Sequence, residues 1–352
     1  MVRGAERASK RSRRVIAFIR IVSTLAAVKP LPSNRSFGVH PLGCQSRRNT
    51  LKRGHQTAPG GYGAQSAHKV RGILSSFLML LACVTAGAFP AFAQSDWHDP
   101  FPPHRIADHL YYVGSKGLAS YLITTTNGHI LINSSFERTV PILRTNIEAL
   151  GFKFTDIKIL LTSHAHSDHA SGHALVKALT GARVEVMEGD AQVIVNGGKG
   201  QYLYTEDDAW KPCAVDRVLK DGDMVALGEA RLTARLTPGH TRGCTTWLMQ
   251  TTDGGKTWNV VIVGSPNVNP GYALITNRDY PEIADDYTKT FRLLKALPCD
   301  IFLGAHGSYY GMEAKYARLQ KDPKINPFID REGYRAYVDD RAQAFREALR
   351  KQ

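Results

Sequence analysis

Between residues 110 and 133 three short apolar runs alternate with glycine-bearing turns. The runs at 110–113, 120–124 and 129–133 are rich in β-branched, aromatic and aliphatic residues, so they predict strands joined as antiparallel hairpins. At 140–150 the period changes: Ile142, Leu143, Ile147 and Leu150 recur at helical spacing, and Gly151 stands where a helix should stop. Residues 157–162 are almost continuously apolar, which predicts a buried strand, and 172–179 read as the helix after it. A strand at 183–187 follows, then a short helix ending in the glycine-rich 196–200. A second half begins near Val215, with strands at 224–227, 231–236, 245–250 and 259–263; Asp253-Gly254-Gly255 is a turn signal between the last two. The chain closes with a helix at 283–297, a strand at 301–303 and an amphipathic helix at 332–349. Both halves carry strands followed by helices. The expected class is therefore α/β (α+β), two sheets packed together and covered by helices.

Charge changes this picture only at one end. A formal charge of +14 taken alone suggests a nucleic acid or an anionic membrane as partner. Residues 1–68, however, hold 13 Lys and Arg against one acid, Glu6, whereas 94–352 hold 30 residues of each sign. The body is balanced, and no nucleic-acid partner is expected of it. Residues 1–68 lack apolar periodicity and cannot bury enough surface to fold alone. They read as a basic, disordered leader or arm, or as untranslated sequence ahead of a start near Val70, since a valine codon can initiate in bacteria.

Residues 69–93 have the parts of a secretory signal. Lys69 and Arg71 precede the apolar run 73–82, and Ala91-Phe92-Ala93 supplies small residues before Gln94. Cleavage is expected after Ala93, leaving about 259 residues, 94–352, as one exported domain. Ser75, Ser76, Gly87 and Pro90 make the segment a poor membrane-spanning helix, and Leu81 is a poor fit to a lipobox ending at Cys83. The expectation is a periplasmic monomer with no stable membrane association after cleavage. Cys213, Cys244 and Cys299 remain in it; two could pair in an oxidising compartment, although core or loop thiols are the plainer reading. Residues 95–103, with three prolines, read as an irregular arm in which Trp97 could fold over a cleft.

The candidate chemistry lies behind the strand at 157–162. Thr162-Ser-His-Ala-His-Ser-Asp-His-Ala-Ser-Gly172 places His164, His166, Asp168 and His169 on a strand-to-helix loop, where a rigid scaffold holds both ends of a reachable tip. Imidazole and carboxylate donors suit zinc, and the lack of cysteine points to a catalytic rather than a structural site. His164 and His166 can point to one side while Asp168 and His169 emerge after a turn, so one loop could serve two adjacent metals. Four donors do not complete two shells. His240 and His306, each flanked by glycines and each beyond a strand end, are the candidates to complete them. His98, His104, His109, His129 and His173 are read as ordinary hydrogen-bonded or surface residues.

The run HAHSDH, together with His240 and His306, resembles the metallo-β-lactamase superfamily over nearly all of residues 100–350. The resemblance implies a four-layer αββα sandwich with a dinuclear zinc site at one sheet edge. Thioesterases, lactonases and many nucleases of that superfamily place a metal-bridging Asp at the strand end between the last two histidines, and the first two β-lactamase subclasses place a zinc-binding Cys at this position. Here the run is Val261-Ile-Val-Gly-Ser-Pro-Asn267, with Ser265 at that place. A serine there with an intact HxHxDH resembles subclass B3, as do the stretches from Gly117, Gly239 and Asp300.

By that resemblance His164, His166 and His240 bind one Zn2+, and Asp168, His169 and His306 bind a second. The implied activity is hydrolysis of the β-lactam amide bond of penicillins, cephalosporins and carbapenems by a metal-bound hydroxide, giving antibiotic resistance. Asp168 would hold the hydroxide as a catalytic residue, and Ser265 and Asn267 would orient the substrate carboxylate, directly or through water. A lactonase or phosphodiesterase on the same fold is the alternative. Two departures stand out. Asn267 replaces a second serine common in the subclass, and no cysteine follows Cys299 to form the family's disulfide. The glycine-rich 196–200, with Tyr202 and Tyr204, is a candidate cleft wall.

Overall fold

Strands that are apolar at nearly every position need cover on both faces. The computed structural model, which describes residues 97–203 and 205–352, supplies that cover in four layers. The basic leader, the signal segment with its cleavage after Ala93, and Tyr204 lie outside the described residues. Seven strands form the first sheet in chain order: β1 (His104–Ala107), β2 (Leu110–Tyr112), β3 (Tyr121–Thr125), β4 (Gly128–Ile132), β5 (Ile157–Leu161), β6 (Arg183–Met187) and β7 (Arg217–Leu219). β1 to β4 pair antiparallel as the hairpin signals require, and β4 to β7 pair parallel. The second sheet holds β8 (Met224–Leu227), β9 (Ala230–Leu236), β10 (Thr245–Asp253), β11 (Lys256–Val263) and β12 (Ile301–Gly304), in the order β12-β11-β10-β9-β8. Only its β11–β12 pair is parallel.

The two-residue side-chain period of a strand sorts the first sheet into its two faces. Tyr121, Ile123, Ile130, Ile132, Ile159 and Leu161 face the second sheet, where Leu232, Ala234 and Trp247 meet them. Leu122, Leu131, Leu160, Val184 and Val186 face the other way, onto α1 (Val140–Ala149), α2 (His173–Thr180) and α3 (Glu188–Val195). On the far side of the second sheet lie α4 (Ile283–Ala296), α5 (Met312–Lys321) and α6 (Arg331–Arg350). Ile283, Tyr287, Phe291 and Leu294 form the buried stripe of α4, and Tyr287 stacks on Phe345 of α6 at 5.2 Å. Each such aliphatic or aromatic side chain contributes about 1.5–3 kcal/mol by leaving water. Among the described residues no helix is long and apolar enough to cross a membrane.

Five elements differ from the sequence reading: β7, β1, α5 and the two strands of the β10–β11 hairpin. β7 is the edge of the first sheet rather than the start of a second half, because Arg217–Leu219 pairs parallel with Glu185–Met187. Only three residues long, with Val218 about half exposed, it carries no pattern of its own. β1 and α5 were not expected. β1 sits beside the prolines of the arm, and α5 is a polar helix set off by Gly311 at a left-handed φ of 64°. The β10–β11 hairpin runs longer than its apolar runs suggested and closes on Gly254 and Gly255, both left-handed (φ 58° and 74°), the loop geometry that matches strand twist. Cys213, Cys244 and Cys299 are all buried and unpaired.

Of the histidines read as ordinary, His104 and His173 are both buried, and His104 sits in an aromatic stack. It stacks between Tyr112 and Phe328, and its Nδ1 faces the Pro102 carbonyl at 3.0 Å. Burial lowers its pKa to about 4. The unfolded chain therefore takes up a proton below about pH 6.5 that the folded chain refuses until about pH 4, so stability falls as pH drops through this window. His104→Phe keeps the stacking and removes the titration. Its melting temperature should fall between pH 7 and pH 5 by roughly 5 °C less than that of the wild type, measured by thermal denaturation in chelator.

Candidate metal centre

The loops that follow β5, β9, β11 and β12 leave the two sheets at one shared edge. Residues 133–135, which follow β4, brace the first of them. Asn133, left-handed at φ 66°, accepts from the Ser163 backbone at 2.7 Å and donates to the Ser163 hydroxyl at 3.0 Å. From the second sheet, Trp247 Nε1 donates to the Thr162 carbonyl at 3.1 Å and the Thr245 amide to Ser163 O at 2.7 Å. The end of β5 is thus held from both sheets. Beyond it His166 is still extended (φ −103°, ψ 156°), and a single helical turn, Ser167–Ala170, swings Asp168 and His169 to a new direction. On the opposite side the amide of Ala119 and the carbonyl of Gly117 bond to Ala305 and Gly307, holding His306 between them.

All six residues singled out by the sequence meet at this edge. The ligand atoms of His164, His166 and His240 lie within 4.8 Å of one another, and His164 is also within that span of Asp168 and His169. Nε2 of His169 lies 3.1 Å from Nε2 of His306. Asp168 Oδ2 is 3.1 Å from His169 Nε2 and 3.4 Å from His306 Nε2. His240 is oriented from behind, since its Nδ1 faces the Asn267 carbonyl at 2.8 Å and leaves Nε2 to the cluster. His98, His104, His109, His129 and His173 stay out of it; His173, for instance, is buried against the Ser134 hydroxyl at 2.7 Å.

Electrostatics make these groups metal donors rather than cations. Burial first, then the neighbouring imidazoles, hold His164 well below its usual pKa; burial takes His166 to about 4 and His306 to about 3. His240 is also lowered, mainly by burial. For Asp168 burial acts upward, but the adjacent imidazoles, His169 foremost, outweigh it and hold the carboxyl below its usual range. Neutral imidazoles and an ionised carboxylate are the protonation states that bind metal. Spacing gives a second test of fit. Tetrahedral zinc with donors at 2.0–2.1 Å separates them by roughly 3.3 Å, and the Asp168–His169–His306 separations are 3.1, 3.1 and 3.4 Å. The residues fit a metal centre.

A cleft of about 1140 Å³ opens over the cluster, walled by Trp97, Phe136, Tyr202, Leu203, Tyr272 and Tyr309. The proline-rich arm does reach it. The Trp97 ring lies 5.2 Å from the ring of His306, and the Ser115 hydroxyl fixes the Trp97 carbonyl at 2.6 Å. The glycine stretch 196–200 does not line it, because Gly197 and Gly198 pack on Trp210; Gln201, Tyr202 and Leu203 take that place. Ser265 is also not in the wall. It is 2% exposed, and its hydroxyl lies 3.0 Å from that of Tyr309, which stands between it and the cleft. Asn267 does face the cleft, its side-chain oxygen 3.5 Å from Arg341. Tyr309 was missed because an aromatic near a histidine reads as core; its place three residues after His306 was the available signal.

The profile described as Metallo-beta-lactamase superfamily matches residues 117–306, more than half the chain and all six candidate ligands. The chain belongs to this superfamily. Among solved structures, the native metallo-beta-lactamase FEZ-1 from Legionella gormanii is 50% identical with a TM-score of 0.71, over 72% of this chain and 97% of that one. BJP-1, a subclass B3 metallo-beta-lactamase of Bradyrhizobium japonicum, is 39% identical with a TM-score of 0.70, over 74% of this chain and 97% of that one. A hydroxyacylglutathione hydrolase of Rhodospirillum rubrum is 33% identical over 96 residues, 27% of this chain and 29% of that protein. The four-layer superfamily fold is thus present among the described residues, whereas the likeness to the last relative spans under a third of its length.

The arm is the part of this superfamily site most open to a direct test. A Cβ at Gly117 would fall 2.5 Å from Cδ1 of Trp97. Gly117→Ala should displace the indole and cost about 1–3 kcal/mol, read from urea unfolding, with a shift in tryptophan emission.

Proposed function

We propose that the protein hydrolyses the β-lactam amide bond of penicillins, cephalosporins and carbapenems, using two zinc ions. The observation that carries this reading is Ser265, which occupies the strand end where thioester, lactone and phosphodiester hydrolases of the superfamily keep a bridging carboxylate. Its hydroxyl is turned to Tyr309, so among the described residues the cluster is composed of five histidines and Asp168. Likeness along 97% of two metallo-beta-lactamase chains supports the same reading. His164, His166 and His240 would hold one ion, and Asp168, His169 and His306 the other. Bound zinc supplies Lewis acidity and makes hydroxide available near neutral pH, so no side-chain nucleophile is required.

The chain's own groups then have separable tasks. Asp168 stays ionised among imidazoles and can hold, by hydrogen bond, the proton of an attacking water and pass it to the departing amide nitrogen. Tyr309, backed by Ser265, and Asn267, whose side-chain oxygen is turned to Arg341, offer a hydroxyl and an amide N–H to the substrate carboxylate. Trp97 and Tyr202 narrow the cleft on either side and exclude water. The secretory pattern of residues 69–93 supports placing the reaction in the periplasm.

A thioesterase reading is favoured by short matches to hydroxyacylglutathione hydrolases, each over less than a third of this chain. One assay separates the two. The purified protein should hydrolyse a carbapenem, lose this activity in chelator, regain it with zinc and contain two zinc ions per chain by elemental analysis. Turnover of a glutathione thioester without any β-lactam turnover would overturn the proposal. Asn267→Ala should raise KM for penicillins roughly tenfold with a smaller change in kcat, the loss of one hydrogen bond to a charged group.

A further inference from the structure

Asp190 offers its carboxylate to none of the six candidate ligands, yet it joins the two loops that carry five of them. It is 1% exposed, in the first turn of α3. Its Oδ2 accepts from the Ala165 amide and from the Thr241 hydroxyl, each at 2.8 Å, and its Oδ1 accepts from the Gly243 amide at 2.8 Å. Ala165 lies between His164 and His166, and Thr241 follows His240. One buried carboxylate therefore sets the distance between a loop of the first sheet and a loop of the second.

The fit around it is close. A Cβ on Gly243 would fall 2.7 Å from the Asp190 side chain, and one on Gly189 would fall 2.5 Å from the Gly243 amide. A longer acid has no room, and an amide in place of the carboxylate would turn an NH2 toward a donor. We infer that Asp190 is a positioning residue that tunes the affinity of the His164–His166–His240 trio for a divalent metal. This rests on reading the cluster as a metal centre. Metal–donor distances tolerate only about 0.2 Å, so a loop freed by a few tenths of an ångström loses affinity without losing its fold.

The test titrates Zn2+ into chelator-stripped protein against a chromophoric chelator, with the melting temperature of each stripped variant recorded alongside. Asp190→Asn should weaken one of the two zinc equivalents by about 10–100-fold and leave the other within a few-fold. Thr241→Val, which removes one of the three bonds, should move the same equivalent by less. Asp216→Asn is the control: its carboxylate also braces a backbone amide, that of Val184, but away from the cluster. It should lower the melting temperature and leave both zinc equivalents unchanged. Unchanged zinc affinity in both Asp190→Asn and Thr241→Val would overturn the inference, as would a loss shared equally by Asp216→Asn. If Asp190→Asn fails to fold, Thr241→Val alone decides. A wild type that takes up no zinc would remove the metal-centre reading and this inference with it.

Discussion

Two imidazole nitrogens, those of His169 and His306, stand 3.1 Å apart although 137 residues separate them, and a carboxylate oxygen of Asp168 lies within 3.4 Å of each. Holding such donors together away from bulk water is unfavourable unless a cation or a shared proton lies among them. The fold is arranged to impose that proximity. Two sheets present their strand ends at one edge, and the links that cross between them there all brace a histidine-bearing loop: Trp247 to Thr162, Thr245 to Ser163, and Ala119 to Ala305. The desolvation that depresses the histidine pKa values is the same desolvation that keeps them free to bind metal.

The cleft wall proposed to meet substrate rests on a softer set of contacts. The Ser265 hydroxyl does not reach the cleft; it stands behind Tyr309, and Tyr309 in turn stacks on Tyr337 of α6 at 5.2 Å. Arg341 of the same helix approaches Asn267, whose backbone carbonyl also receives His240 and the Tyr287 hydroxyl. The last helix is thereby part of the site's support. A chain of hydroxyls and amides of this kind orients an anion without burying an opposite charge, which would need its own compensation. The arm around Trp97 closes the other wall by aromatic contact with His306 and Phe136.

Much of this was legible in the residues. Strands 183–187 and 224–227 were read to the residue, and β2 to β5, β9 and β12 within one residue at each end, because alternation and burial on both faces leave distinct patterns. The six clustered candidate donors were legible because metal-binding chemistry admits few residue types and a short loop restricts their spacing. What escaped was carried by contact rather than by type. β7 is a strand only because β6 lies beside it, and Asp190 is one acid among 31 until its backbone partners are in view.

By itself, then, the sequence determined the layer pattern, the strand-end loops and the kinds of donor they carry, since these follow from side-chain periodicity and ligand chemistry. The tertiary structure decided which nitrogen of His240 faces the cluster, that Ser265 lies behind Tyr309, that residues 201–203 rather than 196–200 wall the cleft, and that one carboxylate bridges two loops. Each of these depends on groups far apart in the chain approaching within about 3–5 Å. No local pattern encodes such a distance; only packing the two sheets together sets it.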